Sequence, residues 1–172
     1  MGLREATAEL HRKAEKMEFN QRMMNNKLTI EEYVSYLESQ YSIFEKIERL
    51  FTLPDPGLAR SGRVLDDLYE LGETTPNVSD KTMEYIDYLS TLNNYSILPH
   101  IYLNYLALAF GGQMIKTKIH GSGRMYDFDD IQTAVGSIRR HQRDDWADEV
   151  NKGFEFIINI LDELQNTTER NS

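Results

Sequence analysis

The residues best placed to do chemistry are His11 with Glu15, and Gly111 with Gly112 a hundred positions later. Residues 3–15 have helical spacing, with Leu3, Ala6, Leu10 and Ala14 on one apolar stripe. His11 lies beside that stripe, and Glu15 follows at the spacing that puts both side chains on one helical face. A neutral imidazole can bind a metal through one nitrogen while its other N–H donates to a carboxylate that fixes the ring. Residues 100–115 carry a second helical pattern interrupted by the glycine pair. Two glycines inside a helix cost about 1 kcal/mol each against alanine, so they imply a functional or packing reason. A bend that brings bare backbone against a flat ligand supplies one. The two features together predict a flat, metal-bearing ring held between two helices.

The elements that must position these residues read as helices throughout. Thr29 and Glu32 form a capping-box signature ahead of an apolar run from Tyr33 to Phe51. Pro54, Pro56 and Gly57 mark a loop before a helix over Leu58–Leu71, and Gly72 to Pro76 mark another break. Ser79 caps a helix over 80–92, and the glycine-interrupted helix runs from Pro99 to about His120. Two more helices are expected over 129–140 and 145–166, followed by a frayed tail at 166–172. No alternating strand pattern occurs. The expected fold is an all-α, single-domain bundle spanning 1–172.

Order and spacing of these motifs resemble the haem oxygenase family. The 3–15 run is similar to that family's proximal helix, with His11 at the axial-ligand position. The distal helix is matched by His100, Tyr102, Tyr105 and Leu106, followed by Gly111-Gly112-Gln113. Leu58 and Arg60, then Leu65, Asp67 and Leu68, resemble its middle helix, and 154–164 its last. The resemblance implies haem b as both substrate and cofactor, iron ligated by His11, and Glu15 orienting the imidazole. It also implies O2 and an external electron donor such as ferredoxin, with biliverdin, carbon monoxide and ferrous iron as products. Arg4 and Tyr102 match family contacts to the haem propionates. Arg139 and Arg140 fall where a second basic cluster is expected, and Phe154 lines the pocket.

One departure bears on the chemistry. Ala107-Leu108 stands where the family commonly has Gly-Asp, and that aspartate organises hydrogen-bonded water beside the iron. Leu108 can neither donate nor accept a hydrogen bond. Phe44, Asn104 and Ile157 stand where the family often has tyrosine, arginine and asparagine. Removing a polar network whole leaves no buried partner stranded, so the distal side is expected to be apolar. Ala107, Leu108, Gly111 and Gly112 are the expected catalytic-side residues.

Composition narrows the partners. The chain has 172 residues, a net charge of −9 and no cysteine, which excludes disulfides, thiolate metal sites and cysteine nucleophiles. The acidic balance disfavours nucleic acid. No apolar run approaches the roughly 20 residues of a membrane span, so a cytoplasmic monomer away from membranes is expected. Residues 1–27 nevertheless carry six Lys/Arg against four Glu, and residues 112–143 six against three Asp. These two stretches predict a basic rim suited to propionates and an acidic electron donor. The competing expectation is a non-enzymatic haem carrier or sensor of the same fold. A di-iron enzyme would need Glu-x-x-His pairs, and none of the four histidines has an acid three residues earlier.

Overall fold

The computed structural model describes the backbone of residues 1–73 and 75–171, with side chains through Thr167. Among the described residues ten α-helices follow in order: α1 (Leu3–Ala6), α2 (Ala8–Glu15), α3 (Glu18–Met24), α4 (Ile30–Leu50), α5 (Ser61–Glu70), α6 (Asp80–Leu89), α7 (Leu98–Ala109), α8 (Gly111–Ile115), α9 (Ile131–Arg139) and α10 (Ala147–Asn171). No strand occurs among the described residues. The all-α expectation is met.

The long helix α4 is the spine. Its capping box forms as the sequence predicts: Thr29 Oγ1 accepts from Glu32 N, and Glu32 accepts from Thr29 N. Its buried stripe of Tyr33, Val34, Leu37, Phe44 and Ile47 packs against α5, α6 and α10. Glu48, near its end, caps α5 by accepting from Arg60 N at 2.8 Å and Ser61 N at 3.1 Å. Tyr105 of α7 donates to the same carboxylate at 2.9 Å, so α4, α5 and α7 meet at one residue.

A second, smaller apolar cluster holds the N-terminus to the bundle. Leu3 and Ala14 pack with Leu103 of α7 and with Trp146, Val150, Phe154 and Ile158 around α10. Trp146, 5% exposed, anchors the start of α10 in this cluster. The first helical run is not continuous, however. It breaks at the buried Thr7, whose hydroxyl donates to Leu3 O at 2.9 Å in competition with the helix ladder. Asn151 of α10 donates to the carbonyl of Ala6 at 3.1 Å, and Asp144 accepts from Leu3 N at 3.0 Å. Both contacts come from the far end of the chain, so local sequence does not reveal the break.

Other boundaries shift by a few residues. The glycine-interrupted helix splits at Phe110 into α7 and α8 and ends in a 3-10 turn at Lys116–Lys118. The C-terminal helix continues past the expected fraying point at 166 to Asn171. Thr74, inside the expected break at 72–76, and Ser172 lie outside the described residues. Among the described residues, no helix is long and apolar enough to cross a membrane.

Candidate functional site

His11 sits on the outer face of α2, its side chain 58% exposed. Its Nε2 lies 2.9 Å from Glu15 Oε1, the i,i+4 contact that the spacing predicted. Its ring stacks on Phe154 of α10, with centroids 5.4 Å apart and planes 21° from parallel. Phe154 is itself 8% exposed and embedded in the smaller core. The imidazole therefore has a fixed backing, one tethered nitrogen and, among the described residues, one free nitrogen.

Across the bundle, α7 and α8 meet at Phe110, whose backbone (φ −103°, ψ −72°) departs from ideal helix. The two glycines serve different purposes. A Cβ on Gly111 would meet nothing within 4 Å, so its open side faces free space. A Cβ on Gly112 would lie 2.4 Å from Tyr126 Cδ1, so that glycine exists to admit the tyrosine ring. Of the two glycines, Gly111 alone has an open side on which the expected close backbone approach has room. Ala107 and Phe110 are exposed, and Leu108 is buried in the main core.

The other residues expected on the distal side are placed as follows. Phe44 is fully buried and packs edge-on against Tyr105 at 4.8 Å, and Ile157 is half-buried against both cores. Asn104 is polar but committed elsewhere, its amide donating to Tyr85 Oη at 3.0 Å and His100 O at 2.9 Å.

Two cations lie near Tyr102, whose ring meets Trp146 edge-on at 6.1 Å. Burial pushes the Tyr102 phenol up, while Arg139 and then Arg4 pull it down, so both arginines lie within electrostatic reach. Of the rim expected between the N-terminal helix and α9, Arg4 and Arg139 are the two cations that act on Tyr102. Arg139 also sits 5.4 Å over the Phe110 ring, joining α9 to the kink. Arg140 is exposed and reaches back over Gly136 instead. Neither Arg4 nor Arg139 forms an ion pair among the described residues.

A buried polar network lies beyond the expected site. His100, completely buried, shares Nδ1 with Tyr85 Oη at 2.8 Å and Nε2 with Glu149 at 2.7 Å. Tyr88 Oη donates to both oxygens of Glu149. Burial pushes His100 below its ordinary value, outweighing the upward pull of Glu149. Burial acts upward on Glu149, but hydrogen bonds from Tyr88 and His100 hold it below the usual carboxylate value. Gly153 leaves room for this network: a Cβ there would lie 2.5 Å from Leu103 Cδ2 and 3.2 Å from His100 Nδ1. In the sequence His100 stands out only as part of the distal-helix pattern, because its partners Tyr85 and Glu149 come from two other helices. Among the described residues, no cluster of three or more His, Asp or Glu side chains could hold a metal.

Comparison with known proteins agrees with this fold. No curated protein sequence matches the chain. The fold is shared with heme oxygenase-1 of the cyanobacterium Synechocystis sp. PCC6803, solved in complex with heme, at TM-score 0.83 and 19% identity over 98% of this chain and 92% of that one. It is shared with heme oxygenase from Leptospira interrogans at TM-score 0.80 and 24% identity, over 95% of this chain and 100% of that one. Heme oxygenase-2 of Synechocystis sp. PCC 6803, in complex with heme and NO, matches at TM-score 0.82 and 18% identity, covering 96% and 84%. The family model described as Heme oxygenase matches residues 1–163, and this chain belongs to the haem oxygenase family.

Proposed function

We propose that this protein binds haem b and cleaves it oxidatively to biliverdin, carbon monoxide and ferrous iron, using O2 and an external reductant such as ferredoxin. The observation that carries the reading is His11. It is an exposed imidazole with one nitrogen tethered to Glu15, the other free, and Phe154 behind the ring. That donor set suits an iron taking a single protein ligand, and a single ligand suffices where the porphyrin supplies four. Bound haem would supply redox-active iron and, as substrate, the ring to be opened.

The chain's own residues then have separable tasks. Glu15 accepts the second N–H of His11 and fixes its tautomer, keeping the ligand neutral. Arg4, Tyr102 and Arg139 would hold the two carboxylates of the ligand by charge-assisted hydrogen bonds, with Arg140 as an outlying cation. Ala107 and Gly111 present small side chains and bare backbone on the open side of the kink. Leu108, Phe44 and Ile157 keep the far side dry, so polarisation there falls to backbone groups rather than a carboxylate. The basic rim would also attract an acidic electron donor to the edge where the carboxylates emerge.

A non-enzymatic haem carrier or sensor is the second reading, favoured by the buried Leu108 in place of a polar residue. Haem titration of the wild type and His11→Ala tests the ligand assignment common to both. The expected result is a ligated ferric spectrum in the wild type that His11→Ala loses. An unchanged Soret band in the variant overturns the assignment.

A further inference from the structure

Two buried charged side chains stand outside the ligand-facing surface. Arg60 is completely buried, and its guanidinium donates to five backbone carbonyls. Nε reaches Leu58 at 3.0 Å and Ala59 at 2.9 Å, and Nη2 reaches Gly57 at 3.1 Å. Nη1 reaches Met125 at 3.1 Å and Asp127 at 2.5 Å, while the group lies 3.8 Å over the Phe128 ring. Burial lowers its pKa to about 10, so it stays charged at neutral pH. Asp67 is buried one helical turn past Val64 and accepts from Arg124 N and Met125 N, both at 2.9 Å. The turn at 124–127 is therefore gripped on its N–H side by Asp67 and on its carbonyl side by Arg60.

That turn presents Tyr126, whose ring occupies the place of a side chain on Gly112. Gln113 of α8 donates to Tyr126 O at 2.6 Å and to Leu108 O at 3.3 Å, so the turn and the kink are joined by hydrogen bonds. Lys116 pairs with Asp127 a few residues further on. We propose that Arg60 and Asp67 are positioning residues for the ligand-facing helix: they fix the 124–127 turn, and Tyr126 and Gln113 pass that position to the kink at Phe110. A buried guanidinium with no carboxylate hydrogen-bonded to it is an expensive way to hold a loop, and its fork spans two segments that no apolar side chain could join. The proposal rests on the reading of α7 and α8 as the ligand-facing wall.

Amide hydrogen exchange on the haem-free protein tests it. Asp67→Asn keeps the shape of the side chain but leaves one acceptor oxygen for two N–H groups. Exchange over 106–116 should rise about tenfold more than exchange in α4, because the effect is a local opening. Ile47→Val, a core change that removes no hydrogen bond to the turn, should shift both regions together. Arg60→Lys, which retains charge but not the fork, should reproduce the Asp67→Asn pattern; if it fails to fold, Asp67→Asn carries the test. Haem affinity should fall about tenfold in Asp67→Asn and stay unchanged in Ile47→Val. Equal exchange changes in α4 and 106–116 for Asp67→Asn would overturn the proposal. If the exchange pattern holds but the wild type binds no haem, the positioning role stands and the functional reading falls.

Discussion

His11 of α2 lies nearly parallel to Phe154 of α10, 5.4 Å apart, so the last long helix of the chain sets the attitude of the candidate ligand on the second. Phe154→Ala should cost about 3 kcal/mol of stability from lost burial and a residual cavity. It should also weaken haem binding without removing the ligand. Urea unfolding and haem titration check the two effects separately, and intact haem affinity in the variant would show that the stacking has no bearing on ligation.

Gly111 and Gly112 should respond in opposite ways to alanine. In the haem-free protein, Gly111→Ala should be neutral or stabilising by up to about 1 kcal/mol, since the site is open and alanine favours helix. Gly112→Ala should cost about 1–3 kcal/mol because the new methyl meets the Tyr126 ring. Haem affinity should fall for Gly111→Ala. Thermal unfolding with and without haem measures both, and equal destabilisation by the two changes would contradict the division of labour.

Arg4→Ala and Arg139→Ala should each reduce haem affinity by about five- to tenfold, an effect that shrinks at high salt. Arg140→Ala should do less, since that side chain turns away over Gly136. Titrations at two ionic strengths rank the three, and a larger loss for Arg140→Ala would move the basic edge one residue along α9.

Stability should fall as pH falls, through His100 and Glu149. Both groups have folded pKa values below their ordinary ones, so the unfolded chain binds protons more readily than the folded chain. The contribution of His100 is present above its ordinary value of 6.5 and is lost as the pH drops through and below that value. Glu149 adds a further loss below 4.5. Urea midpoints between pH 8 and 5 should decline, and His100→Gln should flatten that decline. An unchanged slope in the variant would assign it to other groups.

Leu108→Asp tests how dry the distal side is. Leu108 is 3% exposed within the main core, so an introduced carboxyl should destabilise the fold by about 3 kcal/mol or more. Circular dichroism melts are sufficient, and an unchanged midpoint would mean that water already reaches this position.

Local signals carried much of this architecture. The Thr29 capping box, the Pro54–Gly57 loop, the Ser79 cap and the His11–Glu15 pair all depend on neighbours within four residues, and each appears where the spacing puts it. The break at Thr7 joins that residue's own hydroxyl bond to Leu3 O with contacts from Asp144 and Asn151, more than 130 residues away, and the distant part has no local signature. The two glycines look identical in sequence and differ only because Tyr126 returns to lie against one of them. His100 and Arg60 likewise take their meaning from partners on other helices, the one through Tyr85 and Glu149, the other through Met125 and Asp127.

The most direct measurement is a visible-spectrum time course of the haem-loaded protein supplied with reduced ferredoxin and O2, with catalase present to remove free peroxide. Decay of the Soret band with rising red absorption, and biliverdin on extraction, is the expected result. A Soret band that persists through the time course, with no biliverdin recovered, would contradict haem cleavage and leave a haem-binding protein of the same fold.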